Sequence, residues 1–201
     1  MSLVYDKSVP STVLPAALQA LSSLSAVPDA RGGQSPLSGL SLIHEPLPVY
    51  SLPLDGLGQN SVIKDAKPVS WRVFVVDGQD EPVGAAEVVV PPGGGLAALC
   101  LGYTQGRQVI SSGRVLSDAE GPAVEGRYEP RFLEIPGLGA TAVWLRNLEG
   151  NEDRIIPVDP VPRFLRMKAE YTPSEFLDHV RLAASKRLQF EDAPLSKAEK
   201  A

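Results

Sequence analysis

WRVFVVDGQDEPVGAAEVVVPPGGGLAALCLG, residues 71–102, is the stretch on which the fold turns. Its apolar residues come in three short runs. The first, WRVFVV at 71–76, is β-branched and aromatic and stops at the turn pair Asp77-Gly78. The second, 83–90, stops at Pro91-Pro92-Gly93-Gly94-Gly95, and LAALCLG at 96–102 follows at once. Runs of this length joined by short turns predict an antiparallel meander. Downstream, strands are expected at 131–135, 142–146 and 154–158, with Glu149-Gly150-Asn151-Glu152 as the loop of a hairpin between the last two.

Helical signals fall at the two ends of the chain. Thr172-Pro173-Ser174-Glu175 is a capping box, in which the threonine hydroxyl and the glutamate each satisfy an amide of the first turn. Pro173 then takes the first helical position, where its missing N–H costs nothing. Phe176, Leu177, Val180, Ala183, Ala184 and Leu188 make one apolar stripe beyond it. Near the N-terminus, Leu14, Leu18, Leu21 and Ser25 share one side at helical spacing, with Ala17 and Leu24 flanking. That predicts an amphipathic helix over 15–24, capped by Ser11 or Thr12. Residues 28–40 are rich in Gly, Ser and Pro and read as a loop, and 46–57 as extended chain.

The expected class is therefore α+β. A twisted, mostly antiparallel sheet runs from near residue 70 to 158, with the C-terminal helix on one face. The N-terminal helix, on its Pro/Gly-rich tether, or a partner partly covers the other. Three segments follow: 1–65, an amphipathic helix with its extended tether; 66–192, the α+β domain; and 193–201, a charged tail.

Composition sets the outer bounds. The chain has 201 residues, 43% of them apolar and 21% charged, so it can bury roughly 70% of its unfolded surface without a disulfide or a metal. The formal charge is −5 with no basic stripe, which argues against a nucleic-acid partner. Cys100 is the only cysteine, which fits a reducing, cytoplasmic setting of bacterial type. The apolar segment 13–27 is the alternative, a weak signal core leading to secretion. No run approaches the roughly 18 apolar residues of a membrane span.

Each chemical motif has a plainer counterpart. Gly137-Leu138-Gly139-Ala140-Thr141-Ala142 matches the dinucleotide fingerprint, with Asp159 placed to hold a ribose. Pro136 precedes it, however, and at most two helical turns could follow before Glu149-Gly150, so a bend between strands is expected. The triple glycine at 93–95 lacks the Gly-Lys-Ser/Thr of a phosphate loop. Cys100, paired with His44 or His179, is a formal nucleophile, but a cysteine in an apolar run is ordinarily a small core residue. His179 lies near the boundary of its helix's apolar stripe and is expected in solvent. One cysteine and two histidines without ligand spacing imply no metal and no cofactor. Asp77, Asp80, Glu81 and Glu87 could gather at one hairpin as paired acids, or simply form a solvated turn.

Binding signals are more numerous. Leu182 projects nearly opposite the stripe of the C-terminal helix and is available to a partner. Trp144 and Arg146 share one face of a strand and could make an exposed patch; Trp71 is expected in the core and Arg72 in solvent. Arg107, Trp144, Arg146 and Leu182 are thus the candidate binding residues. Together these point first to a non-catalytic protein-interaction or adaptor protein that binds another protein or itself. The alternative is a small-ligand or anion-binding module with its pocket between sheet and helix. A carboxylate- or Cys100-based hydrolase comes third.

Overall fold

The computed structural model of the chain describes residues 2–25, 41–42, 45–58, 60–92, 97–121 and 126–191. Its element order begins with strand β1 (Ser2–Leu3), helix α1 (Val13–Ser25), and strands β2 (Ser41–Leu42) and β3 (Leu47–Ser51). Strands β4 (Lys67–Val76), β5 (Pro82–Val89) and β6 (Leu99–Gln105) lead into helix α2 (Arg107–Ala119). Strands β7 (Arg127–Ile135), β8 (Ala140–Asn147) and β9 (Arg154–Pro157) precede helix α3 (Pro173–Glu191). All nine strands join one sheet in the order β6-β5-β4-β3-β7-β8-β9, with β1 beside β7 and β2 beside β4.

The expected class and meander are present: β4, β5 and β6 pair antiparallel in succession, as do β7, β8 and β9. The sheet extends further than expected. Residues 47–51, in the segment read as tether, form the strand that joins the two meanders, antiparallel to β4 and parallel to β7. That role explains why Leu47 and Val49 are buried: a strand paired on both edges and covered on both faces reads as an apolar run.

The strand registers sort the helices by face. Val73, Ala86 and Val88 point to one side and pack against Val13 and Ala17 of α1. Leu133, Ala142, Trp144 and Ile155 point to that same side and pack against Phe176, Leu177 and Val180 of α3. The other side presents Phe74, Ala85, Phe132 and Val143 to Val109 and Ala119 of α2. The N-terminal helix thus lies on the α3 face, not opposite it, and α2 fills the place assigned to it. Its buried line is Val13, Ala17 and Leu21, while Leu18 faces solvent. The expected Leu14–Leu18–Leu21 line is rotated because Val13, outside the expected span, is its first anchor.

Local chemistry accounts for the rest. The capping box forms: the Glu175 amide donates to Thr172 Oγ1 at 3.3 Å and the Thr172 amide to Glu175 Oε2 at 3.0 Å. The Thr172 hydroxyl also donates to Glu175 Oε2 at 3.0 Å, and the Thr172 amide and hydroxyl together favour the carboxylate and hold Glu175 below its ordinary pKa. The Gly137-Leu138-Gly139 motif is a tight turn between β7 and β8, and no helix follows it. Gly139 sits in the left-handed region at φ 60°, and a side chain at Gly137 would collide with Leu54. Both glycines therefore have steric reasons, and the dinucleotide reading is excluded. Among the described residues no helix is long and apolar enough to cross a membrane. His44, the triple glycine, the loop at 28–40 and the tail at 193–201 lie outside the described residues.

Candidate functional site: a groove between α2 and β9

α2 is the helix that sequence spacing does not reveal. Its N-cap, Gly106, stands at φ 105° and turns the chain from β6 into the helix. Val109, Ser112 and Ala119 are buried against the sheet, and the Ser112 hydroxyl donates to the Gln108 carbonyl at 2.7 Å, so a polar residue is accommodated in that interface. Gly113 lies against Pro82 of β5 so closely that any side chain there would collide. Ser112 and Gly113 thus interrupt the apolar stripe on the side of the helix that meets the sheet.

The opposite flank of α2 is charged. Arg107, Ile110, Ser111, Arg114, Val115 and Asp118 recur every three or four residues and line one wall of a cavity of about 550 Å³. Leu145 and Ile156 contribute apolar surface to it, and Met167, Lys168 and Glu170 form the far rim. The Asp159 amide donates to Ser111 Oγ at 3.2 Å, tying the helix to the chain leaving β9. The volume falls within the roughly 300–1,000 Å³ of small-molecule sites.

Charge pairing separates the basic groups of this groove. Arg154 is bound to Glu170 at 3.0 Å and its guanidinium lies 5.4 Å from the Tyr128 ring. Arg107 and Arg114 form no ion pair with any described residue, although Asp118 and Asp159 also line the groove. Seven residues separate them on α2, about 10 Å along its axis at ~1.5 Å per residue. Lys168, across the groove, holds a left-handed backbone at φ 58°, a conformation that costs a non-glycine residue about 1–2 kcal/mol.

The other sequence candidates are distributed elsewhere. Trp144 is 2% exposed, which corrects the expectation of an exposed Trp144–Arg146 patch. Its ring stands edge-on to Tyr50 at 5.3 Å, Arg131 lies 4.9 Å from it, and its indole N–H donates to Asp153 Oδ2 at 2.9 Å. Arg146 reaches Glu129 at 3.6 Å beside a smaller hollow of about 470 Å³ that Trp144 also lines. Leu182 is 58% exposed on α3, and neither it nor that hollow adjoins the α2 groove. Trp71 and Arg72 also depart from expectation. Trp71 is half-buried at the α1 edge of the core, whereas Arg72 stacks 4.6 Å from Phe132 and pairs with Glu87 at 2.9 Å and Glu134 at 2.6 Å.

The nucleophile and acid candidates do not assemble. The Cys100 thiol donates to the Gly102 carbonyl at 3.4 Å, while His179 is exposed and stands edge-on to Tyr171 at 5.5 Å. Asp77 closes the β4–β5 turn by accepting from the amides of Gln79 and Glu81 at 2.9 and 3.1 Å. Glu87 is taken up by Arg72 and Ser70 instead of joining those acids. Among the described residues no three acids, cysteines or histidines gather as metal ligands. Compared with known proteins, the chain matches no family model, no curated protein and no solved structure.

Proposed function

We propose that this protein is a non-catalytic binding protein that takes a small amphipathic anion in the groove between α2 and β9. The observation that carries this reading is the pairing state of Arg107 and Arg114. Both line the groove and neither is neutralised by a described acid. A guanidinium offers a planar fork of donors that matches a carboxylate or phosphate. Ile110, Ile156 and Met167 offer apolar surface beside it, so a ligand with an anionic head and a hydrocarbon body satisfies both halves. Lys168 supports the same reading, because strained backbone persists where the surrounding structure and function favour it.

A tethered helix for docking onto a partner has less to recommend it, since α1 uses Val13 and Ala17 on its own sheet. The lone cysteine and the charge of −5 continue to favour a reducing, cytoplasmic setting and a partner other than nucleic acid.

Calorimetric titration of the full chain with decanoate, and with decylamine as the cationic counterpart, tests the proposal. Decanoate is expected to bind, more weakly as salt rises, while decylamine gives no heat beyond dilution. Equal binding of the two, or none of decanoate, would overturn it.

A further inference from the structure

The helix holds Arg107 and Arg114 at a set spacing. Seven residues are two turns of α2 less about 20°, so both stems leave the same flank, about 10 Å apart along the axis. The side chains are equal in length and like in charge, so nothing draws the two guanidiniums together. Ile110 stands between them, 41% exposed, and Ile156 of β9 adds apolar surface to the same cavity. Ser111, which also lines that interval, already accepts from the Asp159 amide at 3.2 Å. The helix wall of the groove thus runs cation, apolar surface, cation. Asp118 follows one turn beyond Arg114 and Asp159 lies beside Ser111, yet neither forms an ion pair with either arginine.

We propose that the ligand this groove fits best carries an anion at both ends of a hydrocarbon chain, as an α,ω-dicarboxylate does. This rests on the reading of the groove as a site for an amphipathic anion, and it adds the number of heads and their separation. A one-headed chain meets one guanidinium and leaves the other without a partner, whereas two heads meet both. Length follows from the spacing. An extended chain advances about 1.2 Å per bond, since three backbone bonds span at most ~3.6 Å. The carboxylates of decanedioate, joined by nine carbon–carbon bonds, therefore stand about 11 Å apart, close to the spacing of the arginines. Its methylenes then lie over Ile110 and Ile156. Hexanedioate, at about 6 Å between heads, is too short to meet both arginines.

Titration calorimetry of the full chain with decanoate, decanedioate and hexanedioate at one ionic strength is the test. Decanedioate is expected to bind at least about fivefold tighter than decanoate, and hexanedioate to fall short of decanedioate by at least as much. Arg107→Gln and Arg114→Gln, made singly, should each remove the advantage of decanedioate with an unchanged circular dichroism spectrum. Decanoate has either arginine to use, so each single substitution should cost it no more than about twofold. Equal affinity for decanoate and decanedioate overturns the two-headed ligand and leaves the one-headed reading of the groove standing. So does a tighter decanedioate that either single substitution leaves untouched, because the second head would then lie elsewhere. Failure of both ten-carbon acids to bind overturns the proposal together with the reading on which it rests.

Discussion

Arg131 and Arg146 stand on one face of β7 and β8, while Arg107 and Arg114 belong to the helix that covers the other. The first pair is committed to the fold. Arg131 is bound to Glu129 at 2.5 Å and lies 4.8 Å from the Tyr50 ring and 4.9 Å from Trp144, and Arg146 shares Glu129. The second pair has no described acid as partner and lines a cavity instead. A cation whose charge is met by a neighbouring carboxylate and an aromatic face offers an incoming anion little. A cation left in solvent beside an apolar wall retains that capacity.

The largest effect expected from this contrast is on stability at the committed cluster. Trp144→Ala should cost about 3–5 kcal/mol in urea unfolding, because a buried indole leaves a cavity and Asp153 Oδ2 loses its donor. Arg146→Gln, at the half-exposed end of the same cluster, should cost less than about 1 kcal/mol. Equal losses from the two would break the distinction between buried anchor and surface charge.

At the open pair the expectation reverses. Arg107→Gln combined with Arg114→Gln should leave unfolding within about 0.5 kcal/mol of the parent. It should weaken decanoate binding by about tenfold or more, which titration calorimetry reads directly.

Lys168→Gly sharpens the comparison on a smaller scale. Relieving the left-handed backbone should raise stability by about 0.5–1 kcal/mol, while loss of the ammonium should weaken decanoate severalfold. Opposite signs in the two measurements are the expected signature.

The smallest effect concerns Tyr5, which donates to Glu120 at 3.0 Å near the end of α2. Burial first, and then the Glu120 charge, push its phenol well above the ordinary value of 10.0. The folded chain thus keeps this proton to higher pH than the unfolded chain does. Its contribution is complete below that ordinary value and is lost as pH rises toward the folded value. Thermal melts from about pH 9 to about pH 11 should fall more steeply for the parent than for Tyr5→Phe.

Much of the fold is legible in the sequence because its signals are local. The capping box at Thr172 and Glu175, the hairpin loop at 149–152 and the three runs of 71–102 each declare themselves within a dozen residues. What is not legible depends on distant partners. β3 becomes a joining strand only because β4 and β7 flank it, and the prolines at 46, 48 and 53 hide that role. α2 is concealed by Gly113, whose reason is Pro82, thirty-one positions earlier. Of the candidate site, sequence reasoning marks Arg107 as a binding residue and Asp159 only through the dinucleotide fingerprint. Arg114 falls seven residues after Arg107, in a helix with no apolar stripe to announce it, and Lys168 comes from a loop. The Trp144–Arg146 expectation failed for the same reason: alternation places both on one face but does not say that Tyr50 and Arg131 cover the indole.

Backbone amide and indole chemical-shift mapping of the full chain with decanoate tests the central claim most directly. The account predicts shifts concentrated at Arg107, Ile110, Arg114 and Ile156, with the Trp144 indole signal unmoved. Shifts centred on Trp144 and Arg146, or no saturable shifts at all, would contradict it.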